Sequence, residues 1–126
     1  MAPDDAHFAD RLTEAIERKA TPICVGLDPV YARLPRSMRS DADEPGDMAE
    51  QADAIYQFSV EVIEAVADLV PVVKIQSACF ERYLWTGVEL MWDLIQQAQR
   101  HDLLVILDAK RGDIGSTAEA YAQAYL

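Results

Sequence analysis

The sequence predicts an α/β fold with a parallel sheet, because helical and strand-like segments alternate along the chain. Three apolar runs fit buried strands, at 21–29, 70–76 and 103–110. Continuous apolar strands are typical of parallel sheets that are covered on both faces. Each run ends in charged or polar side chains, and the carboxyl ends of barrel strands are where active sites form. These observations favour a (β/α)₈ TIM barrel, of which the first three βα units are present.

A doubly wound sheet fits the same alternation and is the competing architecture. Nucleotide-binding sheets of that kind carry a GxGxxG loop after the first strand, whereas this chain has Gly26-Leu27-Asp28-Pro29 there. The barrel is therefore favoured. Because a barrel needs about eight strands, we expect residues 1–126 to form the N-terminal part of a single barrel domain.

The first half of the chain is interpreted from apolar spacing and from the residues that interrupt it. An amphipathic helix spans 6–19 and is followed by the strand at 21–29, which Pro29 closes. Prolines, a glycine and an acidic stretch make 31–46 irregular. A long helix spans about 47–68. Its apolar side chains keep near-helical spacing: Met48, Ala52, Ile55, Val62, Val66 and Leu69.

The second half begins with the strand at 70–76 and a short helical piece at 78–84. Two further helices, 86–100 and 116–126, open with a hydroxyl residue followed three positions later by a glutamate, which is the spacing of a capping box. The strand at 103–110 lies between them. The helix 86–100 is expected to bury one face: Met91, Leu94, Ile95 and Ala98.

Composition excludes several classes of protein. The net charge is −11, and the sequence has no cluster of lysines and arginines that could form a basic face for a phosphate backbone. A nucleic-acid binder is therefore excluded. No apolar run reaches membrane-spanning length, and the first residues lack the basic and apolar regions of a signal peptide. We therefore expect a cytoplasmic protein without a membrane partner. Cys24 and Cys79 are expected to be buried, reduced thiols.

Charged residues at the strand ends are the candidates for chemistry. Residues two apart on a strand point to the same side, so Asp108 and Lys110 share a face. Lys74 and Asp28 end the neighbouring strands, and Asp113 follows on the next loop. A lysine between carboxylates is held protonated, which makes Lys110 a candidate general acid for a developing carbanion without a cofactor.

The alternative interpretation is a structural ion-pair network, and it is favoured for Asp28 alone or Lys74 alone. For the cluster at 108–113 a functional role is favoured. Other side chains are expected to be structural: Arg111 as a surface charge, Ser116 as a helix cap, and Trp85 and Trp92 as packing residues.

Four segments carry a family resemblance. The longest is 108–117, with the sequence Asp-Ala-Lys-Arg-Gly-Asp-Ile-Gly-Ser-Thr, and the match extends to 25–29, 73–76 and 80–83. Together they resemble the longer bacterial branch of the orotidine 5′-phosphate decarboxylase family. The resemblance implies a (β/α)₈ barrel that acts as a homodimer. It also implies decarboxylation of orotidine 5′-monophosphate to uridine 5′-monophosphate in pyrimidine biosynthesis, with neither cofactor nor metal.

The resemblance implies a role for each matched residue. Lys110 corresponds to the residue that protonates C6 of the pyrimidine, and Asp108 lies beside the departing carboxylate. Lys74 belongs to the same charged tetrad, completed by Asp113, and also reaches the ribose, where Asp28 contacts a hydroxyl group. Three residues are implied to cross the dimer interface into the partner's site: Asp113, Ile114 and Thr117.

The chain departs from the family in length. In the family, loops after later strands hold the pyrimidine edge and the phosphate, and binding of a remote phosphate helps to drive chemistry at the ring. We therefore expect little or no activity from the 126-residue chain alone, and an open sheet edge that favours aggregation. Two other functions stay open: a sugar-phosphate barrel enzyme of the hexulose-phosphate synthase or decarboxylase type, and a non-catalytic folded fragment.

Overall fold

The computed structural model describes residues 6–40 and 46–126, and these form helices around a three-stranded sheet. Their α-helices and strands follow one another in this order: α1 (Phe8–Lys19), β1 (Cys24–Leu27), α2 (Met48–Val66), β2 (Val72–Gln76), α3 (Ala78–Glu81), α4 (Leu84–Arg100), β3 (Leu104–Asp108) and α5 (Gly115–Tyr125). The segment predicted to be irregular contains two short 3₁₀ helices, Tyr31–Arg33 and Arg36–Met38. Its residues 41–45 lie outside the described part of the chain.

The sheet is parallel, as the sequence predicts, with the strand order β1-β2-β3. Lys74 at the centre of β2 stands opposite Gly26 on one side and Ile106 on the other. The pairing of β2 with β3 ends at Gln76 and Asp108. The third strand is therefore shorter than the predicted 103–110, because the chain leaves the sheet where β2 no longer offers a partner.

The hydrophobic core lies between one face of the sheet and the helices α2 and α4. The central strand β2 is almost fully buried, with Val73 and Ile75 inaccessible to solvent. The prediction that all three strands are buried on both faces is wrong for β1 and β3. Each has a strand neighbour on one side only, and Ile106 and Leu107 are 38% and 44% exposed.

Helix α2 buries a stripe that differs in part from the predicted one. Its buried residues are Ala52, Ile55, Ser59 and Ile63. The predicted members Met48 and Leu69 are exposed. A pattern of apolar residues misses Ser59, whose hydroxyl is satisfied inside the helix because it donates to the Ile55 carbonyl oxygen at 2.8 Å.

The helix starts also differ from the sequence interpretation. A capping box opens α2, in which Asp47 and Glu50 each accept from the other's backbone N–H. The boxes predicted at 86 and 116 are wrong, because α4 begins at Leu84 and α5 at Gly115, and neither helix has a side-chain cap. Ser116 therefore lies inside the first turn of α5 and caps nothing.

Several apolar and sulfur-bearing side chains are more exposed than expected. Trp85 and Trp92 are 76% and 63% exposed, so their assignment as packing residues is wrong. They lie on the side of α4 opposite its buried face, which contains Met91, Leu94 and Ala98 as predicted. Cys24 is exposed and Cys79 is half-buried, so neither is the fully buried thiol that was expected. Within the described ranges, no helix is both long and apolar enough to cross a bilayer.

The contact between α3 and α4 depends on a glycine. A Cβ atom on Gly87 would lie 1.9 Å from the carbonyl oxygen of Phe80, which belongs to the fully buried part of the core. Backbone atoms cannot yield as a flexible side chain does, so a side chain at 87 would separate the two helices.

We expect Gly87→Ala to lower the free energy of unfolding by about 3 kcal/mol, because the added methyl group overpacks the helix contact. Urea unfolding followed by circular dichroism measures the loss. Gly112→Ala is the matched control, since a Cβ atom at Gly112 meets nothing within 4 Å. Equal effects of the two substitutions would contradict this account of the helix contact.

We expect the open edge of β3 to drive association between copies of the chain, because unpaired strand edges pair readily. Leu107→Lys places a charge on that edge and should lower the apparent mass at high protein concentration, as measured by sedimentation velocity. Trp92→Lys adds the same charge on the outer face of α4 and should leave association unchanged. Dispersal by Trp92→Lys alone would instead assign association to the helix face.

Candidate active site

The carboxyl ends of the three strands bring charged side chains to one rim of the sheet. Asp28 directly follows β1 and Asp108 ends β3. Lys74 does not end β2 as expected but lies at its centre, and its side chain reaches Asp28 at the rim. Because the strands are parallel, these ends meet at the same edge, where α/β proteins place their sites. The rim is thus a direct consequence of the strand direction.

Lys110 and Asp108 form the first ion pair of the rim. The Lys110 ammonium donates to Asp108 Oδ1, although Lys110 lies on the loop after β3 and not on the strand itself. The Lys110 side chain is 62% exposed and that of Asp108 is 18% exposed. The hydrogen bond from Lys110 lowers the pKa of Asp108, and the same bond raises the pKa of Lys110. Both groups are therefore held in their charged forms near neutral pH.

Lys74 and Asp28 form the second ion pair, in which Lys74 Nζ donates to Asp28 Oδ1 at 2.5 Å. Their side chains are 25% and 53% exposed. The ammonium group of Lys74 also contributes to lowering the pKa of Asp108. The charge of Lys74 therefore links the second ion pair to the first, and the four groups form one electrostatic cluster.

The remaining predicted residues lie on the loop and helix that follow β3. The carboxylate of Asp113 helps to raise the pKa of Lys110, and it accepts the backbone N–H of Ile114 at 3.0 Å. Ile114 is 85% exposed, and Thr117 is partly exposed in the first turn of α5. Asp113 therefore acts on Lys110 through its charge, whereas the described contacts join neither Ile114 nor Thr117 to the two ion pairs.

Gln76 is a residue of the rim that was not predicted from the sequence, although its position gave a signal. Gln76 lies two residues after Lys74 on β2, so the two side chains share a face. It is 6% exposed, and its Nε2 donates to Asp108 Oδ2 at 3.5 Å. Its amide oxygen has no hydrogen-bond partner within the described part of the chain. Asp108 is thus contacted through both carboxylate oxygens, by Lys110 and by Gln76.

A second omission is Glu81, which is 2% exposed. It accepts hydrogen bonds from the Ser77 hydroxyl, from Tyr125 Oη at 2.5 Å, and from Arg111 Nε and Nη2 at 3.2 and 2.9 Å. Burial alone raises the pKa of Glu81, but the bonds from Ser77, Tyr125 and Arg111 outweigh it, so that the pKa lies below its usual value. Arg111 is exposed, as expected of a surface charge, and it is also paired with Glu81.

The cluster offers a protonated amine beside carboxylates, which suits proton transfer to a carbanion. Within residues 6–40 and 46–126, no group of three or more His, Cys, Asp and Glu side chains is arranged to hold a metal ion. The thiol near the rim is a weak nucleophile, since burial raises the pKa of Cys79 to about 11. The candidate chemistry therefore centres on Lys110 and the adjacent carboxylates.

Comparison with known proteins gives consistent matches. The model of the orotidine 5′-phosphate decarboxylase / HUMPS family matches residues 21–126. A curated orotidine 5′-phosphate decarboxylase of Rhodopirellula baltica is 46% identical over 119 residues, which is 94% of this chain and 39% of the relative. One from a Nocardioides strain is 44% identical, over 94% of this chain and 40% of the relative.

Solved structures give the same result. A crystal structure from Streptomyces avermitilis, assigned as an orotidine 5′-phosphate decarboxylase, is 40% identical with a TM-score of 0.62, and the match covers 94% of this chain and 38% of that one. A Toxoplasma gondii structure assigned as an orotidine-monophosphate decarboxylase is 32% identical with a TM-score of 0.66, over 94% and 36% of the two chains. The chain spans about two fifths of the length of its curated relatives, which is consistent with an N-terminal portion. The chain belongs to the orotidine 5′-phosphate decarboxylase / HUMPS family.

Proposed function

We propose that this chain is the N-terminal part of a (β/α)₈ barrel that decarboxylates orotidine 5′-monophosphate to uridine 5′-monophosphate in pyrimidine biosynthesis. Family membership and the names of its relatives support the reaction. The observation that carries the proposal is the pairing of Lys110 with Asp108 beside Lys74 and Asp28 at one rim of a parallel sheet. A rim of alternating charge fits a substrate that loses a carboxylate and gains a proton at the same carbon.

In the proposed reaction, the bond between C6 and the carboxylate breaks and its electron pair stays on C6. Asp108 lies beside the substrate carboxylate, so that repulsion between the two favours departure as carbon dioxide. Lys110 stabilises the developing negative charge and then transfers a proton from Nζ to C6. The raised pKa of Lys110, due to its hydrogen bond with Asp108, keeps that proton in place until the carbanion forms. No electron-accepting cofactor enters this sequence.

The other predicted residues are assigned to binding and to a shared site. Asp28 contacts a ribose hydroxyl, and Lys74 reaches the ribose while completing the charged tetrad with Asp113. Ile114 and Thr117 extend with Asp113 across the interface of a homodimer. The high exposure of Ile114, at 85%, supports an apolar contact with another chain. A cytoplasmic location stays a prediction.

A second candidate is a sugar-phosphate barrel enzyme of the hexulose-phosphate synthase or decarboxylase type. The HUMPS part of the family description favours it, since the matching family is not restricted to one reaction. Relatives of that kind are expected to need a metal ion, so inhibition by EDTA separates the two candidates. A folded fragment without activity is the third interpretation.

The test of the proposed reaction uses this chain and a fusion in which the C-terminal portion of the Rhodopirellula baltica relative completes it. We expect little activity from the chain alone, because binding energy from the substrate phosphate is missing. The fusion should remove the absorbance of orotidine 5′-monophosphate in the presence of EDTA. The proposal is wrong if the folded fusion leaves the absorbance of orotidine 5′-monophosphate unchanged but converts a sugar phosphate in the presence of a metal ion.

In the same fusion, we expect Lys110→Ala to lower kcat by at least about 100-fold, because the proton donor is lost. Lys19→Ala is the matched control. Lys19 lies at the end of α1 and donates to the Ala67 carbonyl oxygen at 2.8 Å, at the opposite end of the sheet from the rim. Equal kcat values for the two variants would exclude Lys110 as the proton donor.

A further inference from the structure

We propose that Glu81 is a positioning residue for Lys110, because it holds the loop 109–114 against the body of the protein through Arg111. The catalytic meaning of this role rests on the proposed function, whereas the mechanical link between Glu81 and the loop does not. Glu81 lies on α3, directly after β2, and Arg111 is the residue next to Lys110.

Glu81 joins three parts of the chain at one buried carboxylate. Arg111 binds it through two nitrogens, at 3.2 and 2.9 Å, which fixes both the distance and the orientation of the guanidinium group. Tyr125, near the end of α5, donates to the same carboxylate at 2.5 Å. The Arg111 guanidinium also lies 6.0 Å from the centre of the Tyr125 ring. The loop is therefore fixed between α3 before it and α5 after it.

The backbone of the loop needs such an anchor. Arg111 has a φ of 58°, in the left-handed region that non-glycine residues adopt only when their surroundings impose it. The next residue, Gly112, has open space around it, so packing there does not hold the turn. The ion pair of Arg111 with Glu81 supplies the constraint that turns the chain directly after Lys110.

Asp108 is held by contacts of its own. Its carbonyl oxygen accepts the Ser77 backbone N–H at 3.0 Å, and its side chain accepts from Gln76. Ser77 thus contacts Asp108 through its backbone and Glu81 through its hydroxyl. Loss of the Arg111 anchor should consequently free Lys110 while Asp108 stays in place on the strand. The ion pair that carries the proposed proton donor would then loosen from one side.

The experiment uses this chain without substrate, so that it stays independent of any turnover. Lysines labelled with ¹³C at Cε report the titration of Lys110 by NMR, and amide hydrogen exchange reports the order of the loop. Arg111→Ala should move the pKa of Lys110 down towards that of a free lysine and raise loop exchange at least about tenfold. Glu81→Gln should act in the same direction, because the amide has one acceptor oxygen where the carboxylate has two, and its NH₂ group cannot accept from Arg111.

Two further variants separate positioning from general stability. Arg111→Lys keeps the charge but loses the two-nitrogen contact, so both readouts should fall between those of the unchanged chain and Arg111→Ala. Arg18→Ala breaks an exposed ion pair with Asp102, whose N–O distance is 3.0 Å. This pair lies at the opposite end of the sheet from the loop, so the substitution should change neither readout. If Arg111→Ala does not fold, the intermediate shift of Arg111→Lys decides the question.

The proposal is overturned if folded Arg111→Ala leaves both the Lys110 titration and the loop exchange unchanged. If the alanine variant does not fold, the same result in Arg111→Lys overturns it. Glu81 would then be a purely structural residue. A lack of decarboxylation by the completed fusion bears on the proposed reaction alone. The two failures are therefore distinguishable, because the NMR and exchange readouts require no substrate.

Discussion

The register of the three parallel strands is the constraint on which the candidate site depends. Side chains alternate along β2, so that Val73 and Ile75 enter the core while Lys74 and Gln76 take the other face. A slip of one residue would exchange the two sets and bury an ammonium group in the core. Apolar packing behind the sheet thus fixes the position of the charges in front of it, and the strand ends Asp28 and Asp108 follow from the same pairing.

The second constraint is the cost of burying a carboxylate. Glu81 is almost inaccessible, and a charge in that position is tolerated only with well-placed donors. Ser77, Arg111 and Tyr125 meet this need and come from three separate segments. Since Arg111 is the neighbour of Lys110, the ion pair that stabilises the buried Glu81 carboxylate also orders the loop of the site. In the proposed role of Glu81, the contact that stabilises the buried carboxylate also positions the loop that carries Lys110.

The sequence predicted what depends on local pattern and strand direction. Helix and strand order, the parallel sheet and the contact of Lys110 with Asp108 follow from apolar periodicity and from charged strand ends. Polar side chains that are buried because a hydrogen-bond partner satisfies them were missed. Ser59 is buried because its own helix satisfies it, and Glu81 because Arg111, far along the chain, neutralises it. The exposure of Trp85 was missed because its large apolar side chain was expected to pack, although it lies off the apolar stripe that α4 buries.

Solvent limits what the rim does unaided. The side chains of Lys110 and Asp28 are 62% and 53% exposed, so water screens each ion pair and reduces its strength. The same charges interact several-fold more strongly once the effective dielectric constant falls, as when a bound substrate and its surrounding loops expel water. The rim therefore contributes charges that are already in position. The exclusion of water by substrate and surrounding loops determines how strongly these charges interact. This chain matches only 39% of the length of a curated relative. The exposed charges of the rim therefore account both for the proposed chemistry and for the weak activity expected of the isolated chain.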